Sequence, residues 1–150
     1  MKVNDVYDDL ISVCQTAFVG KFQLPNPYDI ADNNSLWLKD GWGLAITGGT
    51  STERFSTCDK KSILRNYTLW LTRQITTTEH KGDSLRTIEK DLYEDQFTFI
   101  NALEKDTNLQ ESAIKAIYSD DSGTAFIEAE TGKFYALATT ITVEYIETLS

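Results

Sequence analysis

The chain has 150 residues, of which 41% are hydrophobic and 11% aromatic. This size and composition predict one globular domain over residues 1–150 with a core of its own, and they exclude a disordered chain. The formal net charge of −9 counts against a free-standing nucleic-acid binder, because such a protein gathers Lys and Arg to replace the counterions of the phosphates.

The first residues are acidic, and a helical pattern follows them. Residues Met1–Asp9 lack the basic and apolar regions of a signal peptide, and no apolar run approaches the ~20 residues of a membrane helix. We therefore expect a soluble protein made in a cytoplasm. Apolar residues at intervals of three and four predict a helix over Asn4–Phe18. This stripe consists of Val3, Val6, Leu10, Val13, Cys14 and Ala17.

The next part of the chain alternates between connections and strands. Phe22–Asp40 contains both prolines and several Asn and Asp residues, which favour turns, and its apolar residues make it a structured connection. Gly41–Thr47 alternates at period two and predicts a short strand. Gly48–Ser62 predicts a polar loop, of a length that is usually functional or mobile. A second strand is predicted within Ile63–Thr77.

The second half begins with the longest predicted helix. Asp83 is a suitable N-cap for a helix over Ser84–Lys105, whose apolar face is widened by aromatic residues. Two strands, Ser112–Tyr118 and Thr124–Glu130, are then predicted on either side of a turn at Ser119–Gly123.

The final segment, Lys133–Leu149, predicts an unusually long strand that follows a tight turn at Thr131-Gly132. Its side chains alternate between an apolar face and a face rich in Thr and Ala, whereas a typical strand has only about 5–6 residues. It is either a long central strand of a monomer, or a strand that runs beyond its own sheet or shows its Thr-rich face to a partner.

The order of these elements predicts the fold class. A helix, two strands, a long helix and a closing set of antiparallel strands are typical of an α+β protein. We expect a mostly antiparallel β-sheet with the N-terminal helix and the long central helix packed on one face.

The residues show no catalytic, cofactor-binding or metal-binding constellation. His80 is the only histidine and stands in a predicted loop, so no Ser/His/Asp arrangement can be argued from it. The TGGTST stretch at Thr47–Thr52 lacks the GK[ST] ending of a P-loop. Cys14 and Cys58 are predicted as a core residue and a loop residue, and their spacing offers no zinc motif.

Two groups of side chains could form a contact surface. Trp37, Trp42 and Trp70 could stack on sugars or bases, although their apolar neighbours favour core packing. The second group is a basic cluster in and just after the predicted loop, and it is either a solvated loop or a contact for acidic protein surfaces or passing phosphate. The cluster consists of Arg54, Lys60, Lys61 and Arg65.

Several segments together resemble the tail terminator, or tail completion, proteins of the neck of tailed bacteriophages. The likeness rests on the order of elements over nearly the whole chain and on the style of its segments. The segments are the first helix with Val6, Leu10 and Val13, YTLWLTRQI at Tyr67–Ile75, the helix Ser84–Leu103, the ending ITVEYIETL at Ile141–Leu149, NPYD at Asn26–Asp29 and DGWG at Asp40–Gly43.

This resemblance implies a structural protein of the virion, located in its tail or neck, and not an enzyme. Members of that family are small α+β subunits that form a hexameric ring, cap the finished tail tube and offer a surface to the head–tail connector or adaptor proteins. DNA only passes through the lumen, and no cofactor or membrane is involved. The residues that we expect at the contact with a neighbouring subunit or partner are Arg54, Phe55, Lys60 and Lys61.

Two other classes of protein remain open from the residues. A monomeric ligand-binding or protein-binding module would use an aromatic pocket around Trp37 and Trp42 and would contain one deep apolar cleft. A small enzyme would use carboxylates such as Asp29 and Asp32, and it would need a paired acid with a shifted pKa in a cleft.

Overall fold

The computed structural model describes residues 2–24, 40–57, 60–75, 83–107, 109, 113–129 and 132–148, and for residues 51–57, 83–84 and 127–129 it describes the backbone alone. These ranges contain two helices and five strands. In chain order they are α1 (Lys2–Ala17), β1 (Phe22–Gln23), β2 (Gly41–Thr57), β3 (Lys60–Ile75), α2 (Asp83–Glu104), β4 (Lys115–Ala129) and β5 (Gly132–Thr148).

The strands form one sheet in the order β1-β2-β3-β5-β4. The two-residue strand β1 runs parallel to β2, and every other neighbouring pair is antiparallel. The prediction of an α+β protein with a mostly antiparallel sheet is therefore confirmed. Strands that are consecutive in this part of the chain form two hairpins, β2–β3 and β4–β5. The two hairpins are joined by the pairing of β3 with β5.

The predicted polar loop Gly48–Ser62 is wrong, because most of this segment belongs to a β-hairpin. β2 continues to Thr57, β3 already begins at Lys60, and these two residues are paired. Alternating Thr and Ser residues tolerate a strand without supplying the apolar signal that predicts one. We call residues 48–57 and 60–66, which pair at Gly48–Thr52 and again at Thr57, the hairpin arm.

The predicted turn Ser119–Gly123 is also wrong. β4 is one strand from Lys115 to Ala129, and its pairing with β5 shifts between Tyr118 and Asp120 and again between Asp121 and Thr124. These shifts are bulges, where extra residues are accommodated without ending the strand. Gly123 lies within them at φ 71°, a conformation that glycine adopts without steric strain.

The long final strand is confirmed, and it lies inside the sheet. Gly132 pairs with Ala129, so this glycine belongs to the strand, and residues 130 and 131 lie outside the described part. β5 pairs with β3 along its whole length from Lys133 to Thr148. The interpretation of a strand that runs beyond its own sheet is therefore wrong, whereas that of a long inner strand is confirmed.

Both helices share the hydrophobic core with the sheet. The core residues are Val6, Leu10, Val13, Cys14, Leu92, Phe99 and Leu103 from the helices and Trp42, Leu44, Tyr67, Leu69, Leu71, Leu137, Ile141, Val143 and Tyr145 from the strands. The core role predicted for Cys14 is thus confirmed, and burial raises the pKa of its thiol. Among the described residues, neither helix combines the length and the apolar character needed to cross a membrane.

Candidate interaction surfaces

The hairpin arm brings the four predicted contact residues into one structural unit. Arg54 and Phe55 lie near the end of β2, and Lys60 and Lys61 open β3. The side chains of Lys60 and Lys61 are exposed, while those of Arg54 and Phe55 lie outside the described part of the structure. The predicted cluster therefore belongs to two strands and not to a loop.

Arg65, the remaining member of the basic cluster, is directed along the arm. Its Nε donates a hydrogen bond to the hydroxyl of Tyr145 at 3.3 Å. A methyl group at Gly49 would lie 2.9 Å from the Arg65 guanidinium, so the Arg65 side chain passes closely over this glycine. Lys60 and Lys61 are thus the exposed cations among the described members of this cluster.

A second surface lies along β4 and the adjoining side of α2, and sequence analysis missed it. Large aromatic side chains are exposed there, and we give the name aromatic patch to the three that lie on α2 and near the start of β4. They are Tyr93 (37% exposed), Phe97 (63%) and Tyr118 (36%). One signal in the sequence pointed to this patch. Tyr93 and Phe97 make the apolar face of α2 wider than packing against a single neighbouring surface requires. The wrongly predicted turn concealed the continuous strand beside them.

A polar network fixes the β4 bulge beneath α2. The Asp121 carboxylate accepts hydrogen bonds from the Tyr118 hydroxyl at 2.7 Å, the Gly123 amide at 2.9 Å and Gln96 Nε2 at 3.2 Å. Gln96 is buried and also donates to the Thr139 hydroxyl at 3.0 Å. Donation from Tyr118 lowers the pKa of Asp121, and the same hydrogen bond raises the pKa of Tyr118 to about 12.

We expect Asp121→Asn to destabilise the fold at neutral pH and to have no effect in acid. The pKa of Asp121 is lower in the folded chain than in the unfolded chain, where it is about 3.9. The ionised carboxylate therefore stabilises the fold fully above the unfolded pKa, and this stabilisation disappears as the pH falls through the folded pKa. Urea unfolding of wild type and variant from pH ~7 to ~2 measures the difference. Asp120→Asn is the matched control, because Asp120 is exposed. An equal, pH-independent loss in both variants would contradict the assigned network.

The described residues give little support to the two alternative classes of protein, a ligand-binding module with an aromatic pocket and a small enzyme. Trp42 is 2% exposed and belongs to the core, so it cannot stack on a ligand. Trp37, His80, Asp29 and Asp32 lie outside the described residues. Within the described ranges, no group of three His, Cys, Asp or Glu side chains could hold a metal ion.

A groove between the helices is the cavity that comes nearest to a ligand site. Its lining consists of Ser12, Val13, Thr16, Ala102, Lys105 and Asp106. These residues include a single carboxylate and no aromatic ring, so the groove matches neither a paired-acid site nor the predicted aromatic pocket.

The two surfaces that stand out from the described part of the molecule are therefore the hairpin arm and the β4 edge with its aromatic patch. The sequence matches no protein-family model, and comparison with curated proteins also found no match.

Proposed function

We propose that this chain is a structural virion protein of a tailed phage, a tail terminator or neck subunit without enzymatic activity. In this proposal copies form a hexameric ring that caps the finished tail tube and joins it to the head–tail connector. The chain is made in the host cytoplasm and ends in the tail or neck of the virion. DNA passes through the lumen without being bound.

The observation that supports this proposal is the positive end of the hairpin arm on a chain that is otherwise strongly acidic. Lys60 and Lys61 are exposed there, while the formal net charge of the chain is −9. A local positive surface favours contact with an acidic protein surface and fixes the orientation of the encounter. Lys60 pairs with Thr57 and Thr148, and Lys61 pairs with Glu147. Because neighbouring strands hold this backbone, less conformational freedom is lost on binding than from a free loop.

The proposal takes both helices to pack on one face of the sheet. In support of this, Leu69 and Ile141 on adjacent strands share one core with Leu10 of α1 and Leu92 of α2. The intervening Thr140 of β5 points to the opposite side, as alternation in a strand requires, and it is only half-buried. Phe134 and Thr72 on that side are buried, so the half-buried part around Thr140 is what the proposal leaves for a partner or for the lumen, where a negative protein repels passing DNA.

We expect the purified chain to form a ring, either alone or on added tail tubes, and Lys60→Glu to weaken tube capping by about tenfold. The reason is that the variant places a negative charge where the proposal has a positive contact. Light scattering on a sizing column gives the mass, and negative-stain images count capped tubes.

Lys105→Glu is the matched control for this experiment. It reverses one exposed lysine in the turn after α2, which is not part of the hairpin arm. Unchanged capping by Lys60→Glu would remove the arm from the contact. A wild-type chain that stays monomeric and binds neither tail tubes nor connectors would contradict the proposed function itself.

A further inference from the structure

Within the part of the chain that the structure describes, the outer edge of β2 is paired at its beginning and unpaired along the hairpin arm. The Trp42 carbonyl accepts a hydrogen bond from the Leu24 amide at 2.6 Å, and the Leu44 carbonyl accepts one from the Tyr7 hydroxyl at 3.0 Å. Beyond Leu44, no strand among the described residues pairs with β2 on the side away from β3. Unpaired strand edges of this kind are templates for another strand.

The outer edge of β4 has a similar arrangement at the other side of the sheet. The Ala116 amide donates to the Thr107 carbonyl at 2.7 Å, which closes the start of this edge. From Tyr118 onward, no strand within the described ranges pairs with β4 on the side away from β5. The aromatic patch lies beside this open part, and exposed aromatic residues are enriched at protein interfaces.

We infer that copies of this chain associate head to tail, with β2 of one copy's hairpin arm pairing with the open edge of β4 in the next copy, beside the aromatic patch. The inference rests on the self-association that the proposed function requires. Each strand from β2 through β3 and β5 to β4 is antiparallel to its neighbour. A sheet continued from β4 into the next copy's β2 is therefore antiparallel too, which allows the more stable kind of strand ladder.

Charge disfavours the symmetric pairing of two β4 edges. β4 carries Asp120 and Asp121 near its middle, and the exposed Glu94 lies on the neighbouring helix. An antiparallel pairing of two β4 edges centred on this part would bring Asp120 and Asp121 of both copies together. Like charges placed opposite one another disfavour association, whereas the arm of a second copy carries the exposed Lys60 and Lys61 at its end.

This kind of contact has a consequence for assembly. The two surfaces are different, so each copy that joins leaves one arm and one β4 edge unused. A heterologous contact of this type closes into a ring when the rotation between copies permits it, and otherwise grows into a filament. Association through these edges is thus compatible with the ring of the proposed function without requiring a further interface.

A mixing experiment tests the inference. The arm variant Lys60→Glu/Lys61→Glu keeps a normal β4 edge, and the edge variant Phe97→Arg keeps a normal arm. We expect each variant alone to associate at least about tenfold more weakly than wild type, and their equimolar mixture to form a dimer with one intact contact. Analytical ultracentrifugation measures these masses. Thr98→Arg, the same charge change at the adjacent exposed helix position, is expected to associate like the wild type.

Hydrogen exchange of the wild-type chain supplies the second measurement. Amides between Tyr118 and Phe126 are expected to exchange more slowly in the associated form than in the dilute monomer, because strand pairing protects backbone amides. A mixture that forms no dimer, normal association of either variant, or unchanged exchange along β4 would overturn the inference. So would a wild-type chain that remains monomeric when concentrated. Such a chain could still form a ring on tail tubes, which separates this failure from a failure of the proposed function.

Discussion

Replacing Phe99 with alanine is expected to lower the free energy of unfolding by about 3–5 kcal/mol. Phe99 is completely buried in the core, and its ring stacks on that of Phe18 with centroids 6.4 Å apart. Truncation removes apolar contacts to the residues between α2 and the sheet and leaves a cavity that the surroundings fill only partly. Chemical denaturation followed by tryptophan fluorescence and circular dichroism measures the loss.

Phe97→Ala is the matched control, because it removes the same ring two positions earlier in the same helix. The Phe97 side chain is 63% exposed, so we expect the stability of the monomer to change by less than about 0.5 kcal/mol. The same substitution should weaken association if Phe97 belongs to the interface inferred above. Similar losses of stability in the two alanine variants would contradict the assigned orientation of α2.

Gly41→Ala is expected to destabilise the fold by about 1–3 kcal/mol, the usual range for overpacking. A Cβ at Gly41 would lie 2.5 Å from the Phe22 carbonyl oxygen, which is a backbone atom of the neighbouring strand. One of the two strands must therefore move, and the pairing of Phe22 with Gly41 and the hydrogen bond of the Leu24 amide to the Trp42 carbonyl would be lost. Thermal and urea unfolding measure the effect.

Gly48→Ala provides the comparison at a second glycine of the same strand. Among the described residues, no heavy atom lies within 4 Å of a Cβ added there. Alanine also restricts the unfolded chain, so we expect this variant to be as stable as wild type or more stable by up to about 1 kcal/mol. A loss as large as that of Gly41→Ala would show that glycine flexibility in β2, and not the contact with β1, accounts for both effects.

The parts of the fold that sequence reasoning predicted are those with a strong apolar period. α1 and α2 were predicted over Asn4–Phe18 and Ser84–Lys105 and lie at Lys2–Ala17 and Asp83–Glu104. The last strand was equally clear, because its apolar side chains alternate over many residues. In each of these elements, apolar residues recur at the spacing of a helix or a strand over several turns or residue pairs, and this signal outweighs local irregularities.

The errors arose where long-range pairing overrides local preference. Residues 48–57 contain glycine, Thr and Ser without apolar alternation, yet they pair with β3 for most of this length. The turn-like residues Ser119–Gly123 were similarly drawn into β4 as bulges because β5 supplies a continuous partner. Strand formation depends on neighbours that are distant in sequence, so a single segment does not reveal it.

The candidate surfaces show the same division. The cluster of Arg54, Lys60 and Lys61 was visible because like charges are close in sequence, although its support by two strands was not. The aromatic patch includes residues of α2 and β4, and these elements meet through contacts such as that of Gln96 with Asp121, which local sequence does not reveal. Sequence reasoning therefore found the charged candidate surface and missed the apolar one.

The arrangement of two local hairpins joined through β3 and β5 has a consequence for the order of folding. The β2–β3 and β4–β5 hairpins each close a short loop, whereas their union must wait for α2 and the second hairpin to be synthesised. Closing long loops before contacts form slows folding. Until β5 emerges from the ribosome, β3 keeps an open edge that bears Tyr67, Leu69 and Leu71, and newly made chains are most prone to aggregate during this interval.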